Sequence, residues 1–262
     1  MKSICVLIPH FNDIEGLEKS LASISDLEPV DVVIVDDGSK IKPNLENLRN
    51  KYKQINNIYI LNNKKNRGIE YVLNQGLQFI KERRYKYVAR LDCRDICHPE
   101  RFKIQKQLLE ENPDIYLVGT WVEFVNKNGK RIFFFTPPTE HEEIKKKMFI
   151  NNMFIHPSVM FRTQAIDIIG YYPTDRKNAE DYAYFFRFVR NFKTANIDKI
   201  LLKCEVNPAG LSLSKRRLQI KSRIKVILDN FDLSFYAFYG LFRNLLLLFI
   251  PYKLVELLKR QK

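Results

Sequence analysis

Short apolar blocks and polar breaks alternate through the first hundred residues. The stretch "ICVLI" (4–8) is a continuous apolar run, which reads as a strand buried on both faces. Ile14, Leu17, Leu21 and Ile24 then recur at helical spacing, with Asn12 or Asp13 placed as an N-cap and Glu15 and Glu18 in or near the first turn. "VVIV" (32–35) and "IYIL" (58–61) predict the second and third strands. Residues 69–82 predict a helix with Ile69, Val72, Leu73 and Ile80 on one face, and "KYVARL" (86–91) predicts the fourth strand. Strands and helices alternating at this spacing imply crossover connections and an α/β fold, with a mainly parallel sheet flanked by helices.

After Arg101 the rhythm changes. A helix fits 101–110, and "YLVGTWVEFV" (116–125) and "RIFFF" (131–135) read as an antiparallel pair joined through "NKNG". A lysine-rich helix fits 141–149, a strand 158–161, a short helix 164–169, a longer one 179–190 and a closing strand 199–206. These elements make residues 1–210 one domain. Residues 211–262 form a separate appendage, in which a basic amphipathic helix precedes a strongly apolar segment with a basic end. Arg243 and Asn244 interrupt that segment, and its longest clean run, "LLLLFI", is far shorter than the roughly 20 residues needed to span a bilayer. A pair of helices in the headgroup region fits better, with cations meeting anionic lipid and Phe, Leu and Tyr inserting. The plainer alternative is a packed helical cap or a dimer face.

Composition sharpens this picture at three points. A 45% apolar share with 19 Phe and 13 Tyr excludes a disordered chain. The net charge of +14 is weighted toward the appendage, which suits phosphate-rich partners or anionic lipid. Nucleic acid is disfavoured, because no aromatic-basic interleaved motif of the usual kinds is present. Cys93 and Cys97 lie four apart beside His98, yet they match no closed zinc pattern, and Cys5 and Cys204 sit inside apolar runs. The amino terminus is too short in apolar residues for a signal peptide, so a cytoplasmic location without disulfides is expected.

In an open parallel sheet, ligands bind beyond the carboxyl ends of the strands. The loops there read "PHFND", "DDGS", "NNKKNRG" and "DCRD". Carboxylates and amides beside cations suit a nucleotide sugar, whose base and ribose offer donors while its diphosphate attracts positive charge. A buried strand that ends in a carboxylate costs several kcal/mol unless the charge is paired or bound.

These loops, together with "NRGIEYVLNQGL", "IHPSVMFR" and "GYYPTDRKNAEDYAYFFRFV", occur in an order that resembles the inverting family-2 glycosyltransferases of the GT-A fold, over residues 4 to about 190. The resemblance implies a nucleotide-sugar donor. Together with the basic, apolar tail it implies as acceptor a glycan or polyprenyl-linked molecule of bacterial surface-polysaccharide assembly (capsule, O-antigen or exopolysaccharide), met at the inner face of the cell membrane, with a protein or soluble acceptor as the open alternative. Pro9 and Phe11 would line the base pocket, Asp36 and Asp37 would read base or ribose, and Arg67 would lie near the phosphates. Asp181, beside Glu180, would take the proton from the attacking acceptor hydroxyl. Structural alternatives stand beside each role: a core aromatic for Phe11, an Asx turn for Asp37, a solvated surface arginine for Arg67 and an acidic first turn for Asp181.

The family's usual run at the fourth strand is Asp-x-Asp-Asp, whose third residue often holds the metal between the diphosphate oxygens. Here that residue is Arg94. Two readings follow from the resemblance. In the first, Mg2+ or Mn2+ binds through Asp92 and Asp95 with His156, Asp92 also holding the ribose, and Arg94 faces away. In the second, Arg94 itself brings positive charge to the leaving diphosphate. A rival of another class is a catalytically silent homologue that binds the same donor or scaffolds other enzymes.

Overall fold

The structure is a computed structural model that describes residues 3–206 and 216–250. In chain order the first half runs β1 (Ile4–His10), α1 (Ile14–Ala22), β2 (Val30–Asp36), α2 (Leu45–Lys51), β3 (Asn57–Asn62), α3 (Ile69–Glu82), β4 (Tyr87–Arg90), β5 (Ile96–Cys97) and α4 (Arg101–Glu111). The second half runs β6 (Ile115–Val125), β7 (Arg131–Phe135), α5 (His141–Met148), a 3-10 turn at His156–Ser158, β8 (Met160–Arg162), α6 (Ala165–Ile169), α7 (Glu180–Asn191) and β9 (Lys193–Glu205). Two helices follow, α8 (Arg216–Asp229) and α9 (Phe235–Phe249).

Among the described residues the strands form one nine-stranded sheet in the order β3-β2-β1-β4-β8-β6-β9-β5, with β7 paired to β6. The first four are mutually parallel, β8 is antiparallel between β4 and β6, and β6 and β9 pair in parallel. The expected mainly parallel sheet flanked by helices is therefore what forms. The chain steps outward from β1 through β2 to β3, then returns to the other side of β1 for β4. That reversal opens a crevice between the carboxyl ends of β1 and β4, the place where open α/β sheets bind ligands.

Side-chain alternation along the strands supplies both core layers. Cys5, Leu7, Val33 and Val35 face a cluster with Leu73 and Leu77 of α3, Ile144 of α5 and Phe185 and Phe188 of α7. Ile4, Val6, Val32 and Ile34 face the opposite cluster with Leu17 and Leu21 of α1, Leu48 of α2 and Phe102 of α4. Such complete burial on both faces requires the uninterrupted Val/Ile/Leu runs seen in the sequence.

The structure departs from the sequence reading in several places. Helix α2 and strand β5 were not foreseen, β9 begins at Lys193 instead of residue 199, and residues 156–158 are a 3-10 turn ahead of a shorter β8. Helix α8 is not amphipathic in the expected sense: Leu218 and Leu228 are exposed while Ile220, Ser222, Val226 and Ile227 are buried. Val226 and Ile227 of α8 and Ala237 of α9 belong to the same core cluster as α7, so these two helices are packed onto the sheet's helical layer. The predicted basic ends at 211–215 and 251–262 lie outside the described residues. Among the described residues, no helix is long and apolar enough to cross a membrane.

Candidate active site

The β1 and β2 loops are tied together before any ligand arrives. The fully buried His10 hydrogen-bonds through Nδ1 to Asp36 Oδ1 at 2.7 Å, and its Nε2 accepts the backbone N–H of Asp13 at 3.3 Å. Asp36 Oδ2 accepts the backbone N–H of Ser39 at 3.1 Å. Both oxygens of Asp36 are thus spent on shaping the loops, and the residue is fully buried. Asp37 is nearly as buried and serves the next loop: Oδ1 accepts from Arg67 N (2.9 Å) and Asn63 Nδ2 (3.3 Å), and Oδ2 from Gly68 N (3.0 Å). It anchors the turn that starts α3. Gly38 between the acidic pair and Ser39 has φ of 76°, and a Cβ there would lie 2.6 Å from the Lys65 carbonyl carbon. Only glycine lets the two loops touch this closely.

At the mouth, Phe11 is 48% exposed and available for stacking on a flat ring, and Pro9 behind it accepts the Cys93 thiol at 3.4 Å through its carbonyl. Arg67 is exposed with its guanidinium 5.0 Å from the Tyr71 ring centroid.

The β4 end is built around a buried cation. Arg90 is fully buried; its guanidinium donates to the Leu7 carbonyl, to Asp92 Oδ1 at 2.6 Å and to His156 Nε2 at 3.5 Å. His156 Nε2 also meets the Tyr172 hydroxyl at 2.9 Å. Burial, and then the neighbouring Arg90 charge, hold His156 well below its ordinary pKa, so it is neutral. Asp92 is the part-exposed end of this chain, with its side chain 38% accessible and its charge matched by Arg90. Arg90, Tyr172 and Asn63 carried no signal in the sequence that singled them out.

Arg94 explains why Asp92 and Asp95 diverge. Its backbone adopts φ of 77°, a left-handed conformation that costs a bulky residue about 1–2 kcal/mol. The Arg94 N–H donates to the Gly16 carbonyl at 2.9 Å, and its guanidinium grips Asp13 at 2.8 and 2.7 Å, the residue that caps α1. The tight turn sends Asp95 the other way, onto β9, where Oδ1 accepts Glu205 N at 3.2 Å and Oδ2 the Cys204 thiol at 3.4 Å. Burial, then the charge of Asp92, push the Asp95 carboxyl well above the usual range.

The expected ligand set is therefore corrected. Asp92, Asp95 and His156 do not come together around a metal: Asp95 is turned onto β9, and His156 offers its acceptor nitrogen to Tyr172 and Arg90. Among the described residues no three His, Cys, Asp or Glu side chains are grouped to hold a metal ion. Of the expected set, Asp92 keeps the most accessible carboxylate, while Asp95 and His156 are engaged elsewhere.

Facing Asp92 is the amino end of α7. Asp181 Oδ2 accepts Asn152 Nδ2 at 3.0 Å, and burial raises its pKa against the N–H groups of the helix start, Arg223 and Asn152. Glu180 is buried with Oε2 unpartnered among the described residues. Burial first, and then the charge of Asp181, push it up to about 8, with Glu70 of α3 and Asp92 adding to the rise. Asp92, Glu70 and Asp181 thus all lie near enough to Glu180 for their charges to act on it. The loop before α7 is fastened to α3 by Asn74, which pairs with both the N–H and the carbonyl of Tyr172 at 2.8 and 2.9 Å. A separate groove of about 510 Å3, lined by Glu15, Lys19, Arg94, Lys127 and Glu205, contains none of these acids.

Comparison with known proteins agrees with this architecture. The profile of glycosyl transferase family 2 matches residues 5–169. The chain is 28% identical over 231 residues to the amylovoran biosynthesis glycosyltransferase AmsE of Erwinia amylovora, covering 86% of this chain and 84% of AmsE. It is 28% identical over 216 residues to an Escherichia coli UDP-Gal:alpha-D-GlcNAc-diphosphoundecaprenol beta-1,3-galactosyltransferase, covering 80% of this chain and 75% of that protein. Among solved structures, S. aureus TarS superposes with a TM-score of 0.62 at 19% identity, over 89% of this chain and 41% of TarS. A mannosyltransferase of Pyrobaculum calidifontis in complex with GDP-Man and Mn2+ superposes with a TM-score of 0.64 at 13% identity, over 92% of this chain and 68% of that one. The fold is that of the GT-A glycosyltransferases. The chain belongs to glycosyl transferase family 2 and is a glycosyltransferase, with relatives in exopolysaccharide and O-antigen synthesis.

Proposed function

We propose that the chain transfers a sugar, with inversion, from a nucleoside diphosphate sugar to a lipid-linked glycan in surface-polysaccharide assembly. The observation that supports this reading is that the part-exposed Asp92 at the end of β4 and Asp181 at the start of α7 both act electrostatically on the same buried Glu180. Nucleotide binding falls to the strand-end loops. Phe11 stacks on the base, and Asp92 accepts from the ribose hydroxyls while Arg90 holds it in place. Asp36 and Asp37 act from behind, fixing the loops through His10, Ser39, Arg67 and Gly68.

Asp181 acts as the base. Its partly buried carboxylate, held by Asn152, accepts the acceptor hydroxyl proton as oxygen attacks the anomeric carbon and the diphosphate leaves. Burial raises its basicity, which favours proton transfer near neutral pH. The acceptor reading draws on the diphosphoundecaprenol named for the E. coli relative and on the exposed apolar face of α9, which fits peripheral contact with an anionic membrane. The test is to incubate purified protein with a panel of α-linked nucleotide sugars and membrane lipid extract and to read the product by NMR. A β-linked product supports the reading; an α-linked product, or turnover of no donor, overturns it.

A further inference from the structure

Two arginines of the C-terminal helices reach the catalytic end of the cleft. Arg223 of α8 donates to Asn151 Oδ1 at 2.5 Å, next to the Asn152 that holds Asp181, and lies 5.0 Å from the Tyr182 ring centroid. Arg243 of α9 donates to the Ile150 carbonyl at 3.0 Å. The two flank the same tyrosine, and burial followed by the charge of Arg223 lowers the pKa of Arg243. The Arg223 charge also bears on the Asp181 carboxylate, so the two cations together face one protein carboxylate and leave positive charge over for a further anion. Among the described residues neither forms a salt bridge, and Arg223 Nε is buried with no hydrogen-bond partner.

The pair is held rigidly. Gly240 of α9 packs so tightly that a Cβ would lie 2.1 Å from the Phe149 carbonyl oxygen, which locks the helix against the 149–152 loop. Arg243 also borders an exposed apolar stripe, Phe235, Phe238, Tyr239, Phe242, Leu246 and Phe249, along the outer face of α9. A cationic pair beside a proton-accepting carboxylate and at the margin of an apolar stripe has the chemistry to hold a phosphate ester carrying a hydrocarbon chain. Guanidinium forks match phosphate oxygens in geometry as well as charge.

We infer that Arg223 and Arg243 form a phosphate subsite for the acceptor, gripping the diphosphate that joins its glycan to a prenyl chain, with the chain lying along α9. This rests on the proposed transfer to a lipid-linked glycan. It gives the appendage a part in acceptor recognition and leaves the donor's diphosphate to the strand-end loops.

Farnesyl diphosphate, a soluble prenyl diphosphate, is the probe. Its binding to the full chain is measured by calorimetry, with UDP, GDP, farnesol and phosphatidylglycerol vesicles in parallel. Expected is saturable binding of farnesyl diphosphate that inorganic pyrophosphate displaces and saturating nucleotide does not, with farnesol binding at least tenfold weaker. In R223Q/R243Q the affinity for farnesyl diphosphate falls at least tenfold, nucleotide affinity changes less than twofold, and the lysine pair restores part of the loss. Displacement of the probe by UDP or GDP would assign the arginines to the donor and overturn the inference. So would equal binding of farnesol, or loss of vesicle binding alone in the variant, which would make the pair a headgroup contact. Nucleotide binding without probe binding sinks this inference and leaves the donor reading intact. Absence of nucleotide binding sinks the donor reading itself.

Discussion

Replacing Glu180 with glutamine removes one proton site from the acidic cleft and leaves its shape. In the wild type the Glu180 carboxyl is pushed up to about 8, by burial first and then by Asp181. In an unfolded chain the same group titrates near 4.3. The folded protein therefore holds this proton more tightly than the unfolded chain. The stability it represents is fully present below about pH 4.3 and is lost as pH rises to about 8. At about 1.36 kcal/mol per pH unit the full gap corresponds to ~5 kcal/mol. Water entry and relaxation in a site shared with Asp181 reduce that to on the order of 2–3 kcal/mol. At a few °C per kcal/mol for a chain of this size, Glu180→Gln should melt roughly 5–10 °C above wild type at pH 9 and close to it at pH 5. Calorimetric melts at the two pH values measure this. Wild type and variant losing the same stability between them would mean that Glu180 is already ionised in the native cleft, and the electrostatic account of Glu180 and Asp181 would fail.

Three further outcomes follow from the geometry. Gly38→Ala combines a left-handed backbone with a Cβ 2.6 Å from main-chain atoms of Lys65, and should cost on the order of 2–4 kcal/mol in a denaturant titration and weaken nucleotide binding; an unchanged midpoint would contradict the loop contact. Arg94→Ala removes a two-pronged contact to Asp13 that is one-third exposed, so a loss of about 1 kcal/mol is expected, with nucleotide binding retained. Arg94→Asp places a third acid beside Asp13 and Glu205 and should melt lower, with no recovery in Mn2+; a Mn2+-dependent rise in melting temperature would show that position 94 still faces a metal site.

The sequence made much of the fold legible and less of the site. Strands β1 to β4 announce themselves because burial on both faces demands unbroken apolar runs. Helix α2 offers only Leu45 and Leu48 as apolar residues, β5 is two residues long, and β9 begins with "KTANID", so no period marks them. Family order singles out Asp92 and Asp181 as candidates. The partners of Asp36 and Asp37 were not, because His10, Asn63 and the Arg67–Gly68 backbone lie far along the chain. The divergence of Asp92 from Asp95 turns on one backbone angle at Arg94, which sequence spacing does not report. Arg223 and Arg243 read as charge on a tail until packing placed them beside Asn151 and Ile150.

The central claim is that Asp181 performs proton transfer in a cleft whose donor site is assembled separately. The most direct measurement is single-turnover sugar transfer by Asp181→Asn with donor affinity determined on the same samples. The account predicts a rate at least 100-fold below wild type with nucleotide affinity within twofold, since asparagine keeps the shape and cannot accept the proton. Transfer at the wild-type rate, or a rate lost only in step with donor binding, would contradict it.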